Sequence, residues 1–253
     1  MPVKKKRIDK LLIENGFAES AEKARALVMS GVVLANEKRV EKSSEEISPD
    51  AEIRIKGSGA EIKYVGRGGL KLEKALREFH IQPNEYVCLD VGASTGGFTD
   101  CLLQSGAKKV FTVDVGTNQI VWKLRCDERV EVRENVNARY LKPDDFTEKF
   151  DLIVMDVSFI SAAKIFPALL PLLKDRGKII TLVKPQFEIE KGAVGAGGIV
   201  REPEKHEKAV AQVNDSAKRI GLNALNTIES PILGADGNKE FLVLYEIIWN
   251  KTF

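Results

Sequence analysis

The chain is poor in the residues on which several common chemistries depend. Two histidines, His80 and His206, in 253 residues leave little from which to build a histidine metal site or a histidine-based triad. Three cysteines, Cys88, Cys101 and Cys126, are an odd number without metal-ligand spacing. Cys88 and Cys101 fall in apolar segments, which predicts buried, reduced thiols in a cytoplasmic protein, and no metal. No apolar run approaches the ~18–20 residues that span a bilayer. The basic start MPVKKKRIDKLLIENG is followed by nothing like the apolar core of a signal peptide. Secretion and a membrane partner are therefore not expected. A net charge of +2 gives no overall basic excess, so the distribution of charge has to be read instead.

That distribution is uneven. Residues 1–64 hold 13 Lys and Arg against 11 Asp and Glu, and the remaining 189 residues are balanced. Lys4, Lys5, Lys6, Arg7 and Lys10 stand against Asp9 alone, and residues 54–78 form a second basic stretch that includes Arg67, Lys71 and Lys74. Such stretches fit either a solvated face or a surface for phosphate.

Residues 1–60 read as a small α+β unit. A first helix covers Leu11–Ile13 and ends near Gly16, and a second runs over Ala21–Met29 from an N-cap at Ser20 to a stop at Gly31. Short strands follow at Val32–Leu34 and Glu52–Ile55, with a turn at Pro49-Asp50 between them, and Lys56–Gly59 reads as a linker. In residues 61–253 apolar strands alternate with helices. Strands are predicted at 86–91, 110–115, 130–133, 150–156, 178–183 and 240–248, and helices at 98–105, 162–173 and 203–220. This alternation predicts a doubly wound, mostly parallel α/β sheet covered on both faces. The glycine-rich stretch between Pro185 and Arg201 is a candidate lid.

Two constellations carry chemistry. Leu89-Asp90-Val91-Gly92-Ala93-Ser94-Thr95-Gly96-Gly97 joins the first of these sheet strands to a helix, with neither the dinucleotide glycine spacing nor the lysine of a P-loop. Asp90 beside the turn suits a ligand ammonium, and Asp114 at the next strand end suits ribose hydroxyls. A nucleoside with an amino-acid tail satisfies both, and S-adenosylmethionine is the obvious candidate. The second constellation is Lys71, Asp156, Lys184 and Glu240, placed at strand ends or a helix start. Singly, each could be an ion pair at a strand end. Together they suit proton abstraction from a hydroxyl, with a lysine tuned by partial burial and a neighbouring ammonium and oriented by carboxylates.

The runs GRGGLKL, DVGASTGGFTD, DLIVMDVSFIS, LVKPQFE and GNKEFLVLYE resemble the TlyA-type (haemolysin A-like) ribosomal RNA methyltransferases of the FtsJ/RrmJ-like group. The resemblance implies a class I, Rossmann-like methyltransferase domain that uses S-adenosylmethionine, preceded by an S4-like RNA-binding domain. It implies Lys184 as the residue that activates a ribose 2′-hydroxyl, positioned by Asp156, with Lys71 and Glu240 in support. It puts cofactor contacts on Asp90, Gly92, Ser94, Gly96, Gly97, Asp114, Asn135 and Asp156. The substrate it implies is ribosomal RNA or a ribosomal subunit, with cytidine as the nucleoside. Lys4, Lys5, Lys6, Arg7, Lys23, Arg25, Lys38, Arg39, Lys42 and Arg67 are the expected RNA contacts. Ala21 and Glu37 depart from the S4 pattern. A non-catalytic assembly factor and a haemolysin are the alternative functions.

Overall fold

The computed structural model describes residues 5–14, 17–18, 20–36, 38–49, 51, 53–56, 63–234 and 237–248. Lys4, Gly16, Asp50, Glu52 and the linker residues from Gly57 onward lie outside the described residues. The chain divides into two compact units, Met1–Val65 and Gly66–Phe253.

In the first unit β1 (Lys6–Arg7) leads into α1 (Ile8–Glu14), and α2 (Ala21–Met29) follows. Ser20 caps α2 by accepting a bond from the Lys23 amide. Beyond it come β2 (Val33–Ala35), β3 (Lys38–Arg39), β4 (Glu46–Ile47) and β5 (Ile53–Ile55). The strands form a three-stranded sheet, in the order β3-β2-β5, and a separate β1-β4 pair. Ile8, Leu11 and Leu12 of α1 and Ala24, Leu27 and Val28 of α2 meet Val33, Ala35 and Val40 in one small core. The apolar stripe at i, i+3 and i+4 accounts for both helices.

The second unit opens with α3 (Gly68–Glu78), β6 (Val87–Val91), α4 (Gly97–Gln104), β7 (Lys109–Val113), α5 (Trp122–Arg125) and β8 (Val130–Arg133). It continues with β9 (Phe150–Met155), α6 (Phe166–Leu169), β10 (Leu173–Val183), α7 (Pro185–Glu188), α8 (Pro203–Arg219), β11 (Leu222–Glu229) and β12 (Phe241–Ile247). Seven of these strands form one sheet in the order β11-β12-β10-β9-β6-β7-β8. β12 alone runs against its neighbours, pairing antiparallel with both β10 and β11. Every residue of β6 is buried, as a central strand with helices on both sides requires. A core of aromatic edges holds one flank, with Phe111, Phe146 and Phe150 at centroid distances of 5.0 to 5.7 Å.

From β6 the chain moves outward to β7 and β8, then crosses back to β9 on the other side. The strand order therefore reverses between β6 and β9. A crevice opens outside the carboxyl ends of two strands at such a point.

The short strands β1, β3 and β4 have no counterpart in the sequence expectation, and two longer stretches of the second unit also differ from it. Residues 162–173 do not form one helix: a 3-10 turn, the four-residue α6 and a second 3-10 turn break the run. Pro167 and Pro171 each lack the amide a continuous helix needs, so each restarts the helical run. The strand after them begins at Leu173 and pairs with Phe150, with an irregularity before Lys178. β11 escaped the sequence reading because Leu-Asn-Ala-Leu-Asn-Thr-Ile-Glu is an edge strand whose residues are mostly partly exposed or exposed.

Candidate active site

The four ionisable residues gather beside the crevice between β6 and β9, at the carboxyl ends of β9 and β10, the start of β12 and the buried face of α3. Asp156 follows β9, and its amide donates to the Val91 carbonyl at 3.0 Å, which holds it beside the end of β6. Lys184 follows β10. The antiparallel register pairs Val183 with Phe241, so the next pair outward is Lys184 and Glu240. Lys71 comes from the buried face of α3, with Leu72 and Ala75.

The contacts form a chain of alternating charge. Lys71 Nζ lies 2.6 Å from Glu240 Oε2 and 3.7 Å from Asp156 Oδ2. Lys184 Nζ lies 2.6 Å from Asp156 Oδ1 and donates to Ser158 Oγ at 3.0 Å. Asp156 thus bridges both ammonium groups. Lys71 and Glu240 are buried, while Ser158 is exposed and Lys184 and Asp156 half-buried. One lysine is consumed by an internal pair, and the other stands at the mouth with its carboxylate partner. A buried pair of this kind has to be complete, because a desolvated charge without its partner costs several kcal/mol. The arrangement can bind a hydroxyl at Lys184 and take its proton.

The glycine turn after β6 forms the adjoining wall. Gly92 has φ of +82°, and a Cβ there would sit 2.4 Å from the Asp156 carbonyl oxygen. A Cβ on Gly97 would meet the Gly69 amide at 3.0 Å and the Gly66 carbonyl at 3.1 Å. Both glycines therefore permit the chain's own backbone to close on the turn. Ser94, exposed, donates its amide to Asp114 Oδ2 at 2.8 Å, and the Gly116 amide donates to Asp114 Oδ1 at 2.7 Å. Each Asp114 oxygen keeps acceptor capacity for a further hydroxyl. Gly96, with φ of +98°, caps the start of α4. Asn135 Oδ1 accepts from the Thr117 hydroxyl at 2.9 Å, and the Asn135 amide donates to the Gly116 carbonyl at 3.2 Å, so Asn135 shares the loop that Asp114 anchors.

Asp90 differs from its sequence expectation. Its side chain is fully buried, takes the Thr99 hydroxyl at 2.7 Å on Oδ2 and leaves Oδ1 with no hydrogen-bond partner among the described residues. Burial pushes its pKa up to about 7, with Asp156 and Asp114 adding to the rise and the Thr99 bonds opposing it. The folded pKa lies above the unfolded one, so the native state binds the extra proton. Stability from this group is present at low pH and falls as pH rises through about 7. Asp90→Asn is expected to raise the melting temperature of the ligand-free protein at pH 8, by an amount on the order of a few kcal/mol in stability. The gain should shrink at pH 5. A gain equal at both pH values in paired thermal melts would contradict it.

Residues 185–201 form short helical pieces rather than a free flap. Asn238, buried, accepts from the Val200 amide and donates to the Gly198 carbonyl, each at 2.9 Å. His206 Nε2 adds a bond to the Val200 carbonyl at 2.8 Å. This glycine loop is thereby hung from the segment that delivers Glu240. Nothing in the sequence around Asn238 signalled that role, nor that of Ser158 or of Phe159, whose side chain is 91% exposed beside the crevice. Among the described residues no group of three or more His, Cys, Asp or Glu could hold a metal ion.

The basic residues of the first unit, Lys5, Lys6, Arg7, Lys23, Arg25, Lys38, Arg39 and Lys42, are all exposed. Arg7 is engaged by Asp9 through two bonds, at 3.1 and 2.6 Å, and Lys6 by Glu14 at 2.8 Å. Arg67 belongs to the second unit, at the start of α3, and is half-buried.

The FtsJ-like methyltransferase family model matches residues 64–246, and the S4 domain model matches residues 6–53. The chain belongs to the FtsJ-like methyltransferase family. It is an enzyme, and its methyl donor is S-adenosylmethionine. The residues present fit that group: a closed glycine turn and Asp114 with spare acceptor capacity form one wall, with the unpartnered Asp90 Oδ1 buried behind the turn. The 16S/23S rRNA (cytidine-2′-O)-methyltransferase TlyA of Mycobacterium tuberculosis is 39% identical over 246 residues, covering 97% of this chain and 90% of that protein. Hemolysin A of Brachyspira hyodysenteriae is 43% identical over 242 residues, covering 95% of this chain and all of that protein. A solved structure from Streptococcus thermophilus, 46% identical, superposes with a TM-score of 0.76 over 97% of this chain and 89% of that one. Among the described residues no helix of this methyltransferase is long and apolar enough to cross a membrane.

Proposed function

We propose that this methyltransferase modifies a ribose 2′-hydroxyl of cytidine in ribosomal RNA, in the cytoplasm. The observation that carries the reading is the Lys71–Glu240 and Lys184–Asp156 pairs joined through Asp156, which itself stands beside the strand-order reversal. In the reaction Asp156 orients the Lys184 side chain, and Lys71, locked to Glu240, fixes Asp156 from the other side. Lys184, an ammonium in its pair with Asp156, must first release one proton to solvent, and its Nζ then accepts the hydroxyl proton as the sugar oxygen attacks. S-adenosylmethionine would supply the electrophilic methyl group and leave as S-adenosylhomocysteine, held at Gly92, Ser94, Gly96, Gly97, Asp114 and Asn135, with the fully buried Asp90 supporting the turn from within β6. Positioning of oxygen and methyl carbon provides much of the acceleration.

Residues 61–253 carry this chemistry, and residues 1–60 bind RNA phosphate through their exposed lysines and arginines. The S4 match and the activity of the M. tuberculosis relative support ribosomal RNA as substrate. Phe159 offers its ring to the target base. Its backbone sits at φ of +65°, uncommon for a bulky residue and characteristic of functional loops. Phe159→Ala is expected to lower kcat/KM for RNA about tenfold, the value of one stacked base, without moving cofactor affinity. An unchanged kcat/KM would remove the ring from the substrate.

The deciding experiment incubates the enzyme with labelled S-adenosylmethionine and ribosomal subunits from cells lacking the gene, followed by mapping of ribose methylation. A 2′-O-methylcytidine absent from the starting subunits is the expected product. Binding without methyl incorporation would favour an assembly factor, and label on a base would assign another acceptor.

A further inference from the structure

Phe159 and Ser158 project from a loop that has to be held open beside Lys184, and the structure contains a device that does so. α7 begins immediately after Lys184, and its last residue, Glu188, is partly buried. Glu188 Oε2 accepts the Ser161 hydroxyl, and Oε1 accepts the Ala162 amide at 2.8 Å. Ser161 Oγ in turn accepts the Ala163 amide at 3.3 Å and caps the 3-10 turn that ends the loop. One residue earlier in α7, the Phe187 ring lies 5.2 Å from the Phe159 ring. At the other end of the loop Ser158 Oγ accepts from Lys184 itself. The five residues from Lys184 to Glu188 therefore grip the 158–162 loop at three successive points.

We propose that Glu188 is a positioning residue for methyl transfer, acting through Ser161 and Ala162 to fix the loop that presents Ser158 and Phe159 to the acceptor nucleoside. The inference rests on the ribose-methylation reading above and deepens it. Neither Glu188 nor Ser161 touches the four charged residues. A left-handed backbone at a phenylalanine is strained and persists only where surrounding contacts over-determine it. The two acceptor bonds at Glu188 supply that constraint within three residues of Phe159. A carboxylate suits the task because both of its oxygens accept and neither donates, matching a hydroxyl and an amide that both donate. Burial holds the Glu188 pKa above its ordinary value, opposed by its two hydrogen bonds and by the charge of Lys164. The group is thus desolvated and committed to these partners rather than to water.

The test compares wild-type enzyme, Glu188→Ala and Glu188→Gln in full-length protein with ribosomal subunits. Glu188→Ala is expected to lower kcat about 10- to 100-fold, the scale of a misplaced reacting group. The KM for S-adenosylmethionine should stay within about twofold, since the cofactor wall is untouched. Glutamine can still accept from the Ala162 amide and can donate to the Ser161 hydroxyl, so Glu188→Gln should recover most of kcat. Equal damage from both variants, or a loss that follows cofactor KM, would overturn the proposal. Backbone hydrogen exchange gives a second readout that needs no substrate. Amides 157–162 should exchange faster in Glu188→Ala while β9, β10 and β12 keep wild-type protection. Unchanged exchange in that loop would also overturn it. If wild-type enzyme fails to methylate ribosomal RNA, the ribose reading falls and the exchange result alone decides the loop's dependence on Glu188.

Discussion

Lys184→Ala is expected to abolish methyl transfer, by at least about 10²-fold, while leaving S-adenosylmethionine affinity within about twofold. The loss is large because no other amine can replace it: Lys71 Nζ is taken up by Glu240 at 2.6 Å and buried. Asp156 would lose its closer partner yet keep Lys71 at 3.7 Å, so the crevice should stay folded. Lys184→Arg is equally informative, because a guanidinium retains the charge and the pairing but does not give up its proton. If the arginine variant turned over at wild-type rate, Lys184 would be an electrostatic support and not the proton acceptor. Equilibrium cofactor binding and single-turnover methylation on the same preparations separate the two outcomes.

Glu240→Ala carries the second large effect, and it falls on stability as well as on rate. It leaves the ammonium of Lys71 in a site with 9% side-chain exposure and one distant carboxylate. Breaking a buried pair from one side costs about 3–5 kcal/mol, or roughly 6–20 °C in the melting temperature of a unit this size. Replacing both partners by apolar residues of similar volume, as in Lys71→Met with Glu240→Leu, should restore most of that loss and leave the enzyme inactive. Such a rescue would show that the pair is maintained for chemistry at a cost to the fold. A double variant no more stable than Glu240→Ala would show the pair to be structural. Thermal melts of the single and double variants give the answer.

Much of the fold and the four charged positions were legible because the signals were strong and local. FDLIVMD and KIITLVK are apolar strands ending on an ionisable residue, and it was the set of four such positions, rather than any one of them, that pointed to a site. The alternation of such strands with helices left only a doubly wound sheet. What stayed hidden depended on contacts far apart in sequence or on partial exposure. Glu188 and Ser161 are 27 residues apart. Asn238 meets Gly198 from 40 residues away, and a lone asparagine in a glycine-rich loop reads as a turn. Phe159 looked like one more apolar residue in DVSFIS, since sequence does not report which way a side chain faces. Asp90 was placed correctly at the turn, but its burial was invisible because polarity alone suggested access to a ligand. The mistaken long helix at 162–173 came from weighing apolar spacing above two prolines.

The antiparallel return of β12 has a consequence for when, rather than where, the centre comes into being. Three of its four charged groups are already synthesised by residue 184, but the carboxylate that pairs most closely with Lys71 arrives 56 positions later, just before β12, the last strand among the described residues. A chain stopped anywhere in that interval would leave Lys71 with only the more distant Asp156 as partner and the sheet without an inner member. The centre is therefore expected to stay incomplete until β12 pairs with β10, because that pairing is what carries Glu240 to Lys71.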